Sequence, residues 1–170
     1  MVERSDNITM STERADVIAV TNAVSAKLSP LNFTKKGNSW YCRCDDMTVV
    51  FQMQKSLYSP RFYLNVGVFL APDTTGKFLP EHKADVRFRV SSVLDTVQSK
   101  NIEEIFDFDN QERSDSRLDD VVTMLDTVLV PLIENLVSLP MLVRFLKLDR
   151  VAEVALVTAD GRKILESLNS

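Results

Sequence analysis

The chain is poor in the residues that most often carry chemistry. Its 170 residues include two cysteines, one histidine, one tryptophan and four glycines. Two cysteines cannot staple a small secreted fold, and a Cys-x-Cys metal site needs further soft ligands that the single histidine does not supply. Cys42 and Cys44 stand two apart, a spacing that strand geometry does not favour bridging, so buried, reduced thiols are expected. No G-x-S-x-G, H-E-x-x-H or dinucleotide fingerprint occurs, and Gly76-Lys77 lacks the earlier glycine and following Ser/Thr of a phosphate loop. No apolar run approaches the ~20 residues that span a bilayer, and the opening MVERSDNITM lacks the apolar core of a signal peptide. A cytoplasmic location without membrane association is the expectation. Basic excess is missing too: the net charge is -4, so nucleic-acid binding is not expected. Nothing in the chain calls for a cofactor or a resident metal.

What is present is an alternating pattern between Lys35 and Leu70. Trp40, Cys42 and Cys44, then Met47, Val49, Phe51 and Met53, then Phe62, Leu64, Val66, Val68 and Leu70 are separated by single residues of mostly polar type. A period of two assigns each set to one side of a pleated sheet, so three antiparallel strands are predicted. A two-residue turn at Asp45-Asp46 sets Trp40 opposite Phe51, Cys42 opposite Val49 and Cys44 opposite Met47. For the second hairpin, pairing Met53 with Phe62 and Phe51 with Leu64 keeps the same sides together, with Gln52 facing Tyr63 and Gln54 facing Arg61.

Around this meander the pattern predicts helices. Residues 1–10 read as a flexible tail, and Ser11 as the cap of a helix to about Leu28 that Pro30 terminates. After an exposed loop, Asp85–Val90 is a fourth strand with Arg87 and Arg89 outward, and Ile102–Phe108 a candidate edge strand. Leu118, Val122, Leu125, Leu129, Leu132 and Leu136 place the longest helix at about 114–138, kinked by Pro131. Pro140 opens a short helix and Asp149 caps another. The last segment fits either two helices broken at Asp160-Gly161 or a small hairpin between Val154–Thr158 and Lys163–Leu165, helices being favoured. The result is a single α+β domain over 11–170. A 4–5-stranded, mostly antiparallel sheet (about 32–108) is covered on one face by an N-terminal helix and a C-terminal helical region (about 114–168).

LNFTKKGNSWYC, VVFQMQKSLYS and RFYLNVGVFL together resemble the bacterial domain-of-unknown-function family 4304. The corresponding features are Asn32-Phe33, Lys35-Lys36-Gly37, Trp40, Gln54-Lys55-Ser56, Asn65-Val66-Gly67 and the later Arg87-x-Arg89. The resemblance covers about Leu28–Val90. Asn32 stands where the family commonly has glycine, and a tryptophan-containing stretch expected after the fourth strand is missing near Ile105–Phe108. The resemblance implies the fold and a helical C-terminal region, and no reaction, cofactor or catalytic residue.

Two groups of residues are candidate sites. The outward sheet face gathers Arg43, Gln52, Gln54, Arg61, Tyr63, Asn65, Arg87 and Arg89, whose guanidinium forks and amides suit a carboxylate, a phosphate or an acidic protein surface. The bland alternative is an ordinary solvated face of an antiparallel sheet. Residues 101–126 hold nine acids, among them Glu103, Glu104, Asp107 and Asp109, against Arg113 and Arg117. They could receive a basic protein partner, or simply form a solvated loop entering a helix. Asp107-x-Asp109 has no third metal ligand, and His82 has no nucleophile beside it and reads as a surface residue. The favoured expectation is a non-catalytic interaction protein, protective or inhibitory in its concrete form. The alternative is an enzyme or small-molecule binder holding an anionic ligand on Arg43, Arg87 and Arg89, which requires a concave pocket beside them.

Overall fold

In a computed structural model, residues 3–44, 47–71 and 76–167 are described, with side chains from Arg14 onward. Helix α1 (Glu3–Leu28) is followed by strands β1 (Thr34–Lys36), β2 (Ser39–Cys44), β3 (Met47–Lys55), β4 (Phe62–Phe69) and β5 (Val86–Arg89). Helices α2 (Thr96–Ile105), α3 (Arg117–Met124), α4 (Val130–Glu134), α5 (Leu139–Leu146) and α6 (Asp149–Val154) lead to β6 (Leu156–Val157) and α7 (Ala159–Ser167). Among the described residues the sheet has six strands in chain order, every neighbouring pair antiparallel. The fold is thus α+β with an antiparallel meander, as the alternation predicted.

The first expected register holds. Trp40 pairs with Phe51, Cys42 with Val49 and Cys44 with Met47, while the Asp45-Asp46 turn itself lies outside the described residues. The second hairpin keeps its faces but slides by two residues: Met53 pairs with Leu64, Phe51 with Val66, Gln52 with Asn65 and Gln54 with Tyr63. Alternation defines register only modulo two, and the shorter loop wins because Ser56 N–H donates to the Arg61 carbonyl at 2.7 Å, extending the ladder to Lys55–Phe62.

Other expectations are corrected. α1 begins at Glu3 and takes in residues 3–10, where a flexible tail and a cap at Ser11 were expected; no Pro or Gly interrupts the chain before Pro30. At 26 residues it is also longer than any helical segment after Ser114. β1 joins β2 through Gly37-Asn38, with Gly37 at φ 58°, the left-handed conformation that tight hairpins demand. The expected edge strand at Ile102–Phe108 is instead the end of α2. Asp95 caps that helix by accepting from Gln98 N–H at 2.9 Å, and Ile102, Ile105 and Phe106 bury at helical spacing. Only the Arg61–Asp107 bridge remains strand-like there. The sheet edge is taken by β6, which lies between the two C-terminal helices and pairs with β5. Asp149 is the first residue of α6 and makes no side-chain cap. Asn32 adopts φ 64°, which explains how it replaces a glycine: asparagine tolerates the left-handed region.

The main core lies between one sheet face (Trp40, Val49, Phe51, Leu64, Val66, Phe88) and the helices (Val20, Val24, Leu28, Val121, Leu125, Leu129). Trp40 Nε1 donates to Ser25 Oγ at 3.0 Å and ties sheet to α1. Between α3 and α4 the residues Leu125–Leu129 form a π turn just before Pro131. The wider turn accommodates the missing proline N–H and its ring, in place of a simple kink. Leu118 and Val122, expected on the buried stripe, are exposed, because Arg117 and Val121 take the inward positions.

Arg117 is 3% exposed. Its guanidinium donates to the carbonyls of Ile105, Asp107 and Asn110 at 2.5, 2.9 and 2.9 Å and lies over the Phe108 ring. Burial pulls its pKa below the usual arginine range, yet the three acceptors hold the charge in place. A hydrogen bond to a charged group contributes roughly 1.5–3 kcal/mol. Arg117→Ala is therefore expected to lower unfolding free energy by roughly 3 kcal/mol, measured by urea denaturation. A change below about 0.5 kcal/mol, typical of a surface position, would contradict this reading.

Candidate functional site

The second face of the sheet is neither fully open nor uniformly solvated. Tyr41 and Val50 are buried there, apart from the main core. What covers them is the segment 77–85. Phe78 packs edge-on against Tyr41 at 4.9 Å between ring centroids, and Lys36 and Arg43 approach the same ring at 5.1 and 6.0 Å. A 3-10 turn, Glu81–Lys83, then rests on β4 at Gly67. A Cβ at Gly67 would stand 2.8 Å from Ala84 Cβ, 2.9 Å from Val50 Cγ1 and 3.2 Å from Glu81 Cγ. Glycine is needed at this position for space: its φ lies outside the left-handed region, and the strap sits where a side chain would be.

Beside this strap the sheet forms a cavity of about 540 Å³. Its floor is set by register. Gln52 pairs with Asn65 and Asn65 with Arg89, so one row crosses β3, β4 and β5 as amide, amide and guanidinium. In the next row Gly67 pairs with Arg87, and Arg87 with Leu156 of the edge strand. Gln54, Glu81, His82, Ser92, Val154 and Leu156 complete the lining. The volume falls within the range of small-molecule sites, roughly 300–1,000 Å³.

Internal contacts pre-orient these groups. Asn65 Nδ2 donates to Gln54 Oε1 at 2.6 Å. The Arg89 guanidinium stacks 3.8 Å above the Tyr63 ring, and Arg87 Nη1 donates to the His82 carbonyl at 3.0 Å. A guanidinium held by one contact keeps further donors for a ligand, and stacking on an aromatic face leaves its in-plane N–H groups available. Glu81 is 8% exposed; burial raises its carboxyl pKa above the ordinary value, with the charges of Arg87 and His82 opposing.

Of the candidate residues read from the sequence, Gln52, Gln54, Asn65, Arg87 and Arg89 line this one cavity, and Tyr63 supports Arg89. Arg43 does not join them; it lies on β2, beside Phe78. Arg61 is committed to Asp107, which holds its pKa above the usual range. Glu81, His82, Ser92, Val154 and Leu156 were not foreseen as one site. For Glu81 and His82 a signal existed: Gly67 in the middle of an apolar strand marks a close approach by another segment. For Val154 and Leu156 none did: helices were favoured over a hairpin for this segment, and no local pattern marks Leu156–Val157 as a strand pairing with β5.

The acidic stretch is largely satisfied from within. Arg113 reaches Glu104 at 2.8 Å and Asp120 at 3.1 Å, and both partners hold its pKa above the usual arginine range. Asp107 pairs with Arg61, and Glu103 Oε1 accepts from Ser91 Oγ at 3.5 Å. The Ser116 hydroxyl, at 2.8 Å, and Arg113 lower the pKa of Asp120. Asp109 N–H donates to Asp107 Oδ1 at 3.2 Å, an Asx-type turn, so this pair closes a loop. Among the described residues no group of three His, Cys, Asp or Glu side chains is placed to hold a metal ion. No single helix there is long and apolar enough to cross a membrane.

The raised Glu81 carboxyl has a definite sign in stability. Its contribution is fully present below the ordinary value of 4.5 and is lost as pH rises through the higher folded value. Glu81→Gln, which has no charge to desolvate, should therefore gain stability relative to the native chain as pH rises from about 4.5 toward neutrality. Melting temperatures of both proteins across that range check this. Parallel curves for the two would contradict it.

A family model described as a domain of unknown function (DUF4304) matches residues 24–135. No curated protein and no solved structure matches the chain. The matched span runs from the last turns of α1 to the end of α4, so it contains the amide–arginine floor and the strap. The apolar wall formed by Val154 and Leu156 lies beyond it.

Proposed function

The chain belongs to the DUF4304 family, and we propose that it binds a small anionic molecule in the cavity on the second face of its sheet. The observation that carries this reading is the convergence of Arg87, Arg89, Gln52, Gln54 and Asn65 on one cavity of about 540 Å³. Arg87 and Arg89 hold the carboxylate or phosphate of the ligand through charge-assisted hydrogen bonds. The amides bind its neutral polar groups, and Val154 and Leu156 contact its apolar part. Glu81 and His82 sit at the same site, and the Glu81 carboxylate, where ionised, selects against a bare polyanion by repelling excess negative charge. No covalent step is assigned to them. Two free cysteines fit a reducing compartment such as the cytoplasm.

A protein-binding role remains a second reading. It is supported by Leu57 and Tyr58, which are 90% and 95% exposed at the tip of the β3–β4 hairpin. Exposed aromatic and aliphatic side chains on a loop tip are common anchors at protein interfaces. The acidic stretch supports it less, because Glu104, Asp107 and Asp120 are already paired within the chain.

Calorimetric titration with inorganic phosphate, succinate and a nucleoside monophosphate separates these readings. At least one of them is expected to bind saturably. Replacing Arg87 or Arg89 with Ala should weaken that binding by roughly 10- to 100-fold, the loss of a charge-assisted hydrogen bond of about 1.5–3 kcal/mol. Binding that is unchanged in both variants would overturn the assignment. Absence of any saturable anion, together with capture of a protein that Tyr58→Ala abolishes, would favour the second reading.

A further inference from the structure

The cavity on the second face holds one acidic side chain that no donor of the protein satisfies. Glu81 is 8% exposed and lines the cavity, and among the described residues its carboxyl accepts no hydrogen bond and enters no ion pair. The charges of Arg87 and His82 act on it from a distance, and burial outweighs them in raising its pKa. Buried polar groups are ordinarily hydrogen-bonded, so a nearly buried carboxyl facing a cavity leaves a place for a donor from whatever enters.

Register surrounds this carboxyl with a definite pattern. Its stem lies over Gly67, where a Cβ would stand 3.2 Å from Glu81 Cγ. Asn65 follows two residues along β4 on the same face, and because its Nδ2 donates to Gln54 Oε1, its own carbonyl oxygen is left as an acceptor. Opposite these two positions on β5 stand Arg87 and Arg89. Acceptors therefore occupy the β4 side of the floor and guanidiniums the β5 side. The two arginines are separated by roughly 6–7 Å of strand, a span that a four- or five-carbon dicarboxylate bridges.

We propose that the ligand of this cavity is an acidic α-amino acid, with Arg87 and Arg89 taking its two carboxylates and Glu81 and Asn65 its ammonium group. This rests on the anion-binding reading of the cavity and narrows it. Charge sets the class: two guanidiniums and one carboxylate match two carboxylates and one ammonium. A plain dicarboxylate satisfies the arginines but leaves Glu81 without a donor and adds repulsion. A plain amine satisfies Glu81 and leaves the arginines bare. The methylenes of the ligand lie along Val154 and Leu156.

The test is calorimetric titration of the full chain near neutral pH with two matched pairs, aspartate against succinate and glutamate against glutarate, which differ only in the ammonium group. In at least one pair the amino acid is expected to bind roughly tenfold more tightly, the effect of one hydrogen bond to a charged group. Glu81→Gln should weaken that amino acid and tighten its plain dicarboxylate, a crossed effect that damage to the fold would not produce. Equal binding within each pair, or a preference untouched by Glu81→Gln, would overturn the proposal while leaving the anion reading standing. If no member of either pair binds, the proposal also falls, and binding of inorganic phosphate or a nucleoside monophosphate then decides whether the anion reading stands.

Discussion

The absence of one carbon atom, the Cβ of residue 67, is the constraint from which the second face of the sheet takes its form. Gly67 sits in the middle of β4 between Val66 and Val68, both fully buried on the core side. On the other side its bare backbone admits Ala84 and Glu81 to van der Waals contact with the sheet. That contact seats the 77–85 strap, with Phe78 against Tyr41 as the second anchor. Once the strap is seated, Arg87 is held against the His82 carbonyl, and the floor of amides and arginines acquires a wall. An antiparallel sheet commonly leaves one face to solvent. Here part of that face is a minor core and part is a lined cavity.

Charge is organised by a similar internal logic. The acidic 101–126 stretch looks in sequence like a surface waiting for a basic partner. In the fold, Arg61, Arg113 and Arg117 stitch it to the start of β4 and to α3. Arg117 directs its donors to backbone carbonyls of the turn after α2, those of Ile105, Asp107 and Asn110. Arg87 and Arg89 differ from these three in facing a cavity with donors to spare, which is why the functional reading rests on them and not on the acids.

The sheet was legible because alternation is a strong local signal: every residue from Trp40 to Val68 assigned inward packs inward, Cys44 at the strand end being half-buried. The two-residue slip of the second hairpin was not legible, because either register buries the same side chains. Ile102–Phe108 misled for a related reason: a short apolar run carries no length signal, and the decisive element was the Asp95 cap upstream. Five of the candidate polar residues share the cavity because they share a face of three adjacent strands. Arg43 separates from them because Phe78, from the segment beyond the meander, packs beside it on that face, and Arg43 does not line the cavity. Glu81, Leu156 and their neighbours belong to long-range packing, which a local pattern does not encode.

The central claim is that the strap seated on Gly67 builds an anion-binding cavity. Amide chemical-shift mapping of an anion titration, on native protein and on Gly67→Ala, tests it most directly. The native chain should show shifts concentrated at Gln52, Asn65, Glu81, Arg87 and Arg89. Gly67→Ala should remain folded at a loss of about 1–3 kcal/mol, as for a methyl group forced into a packed site, while its strap amides move and those ligand-induced shifts disappear. Identical ligand-induced shifts in the two proteins, or shifts centred on the acidic 101–120 region, would contradict the account.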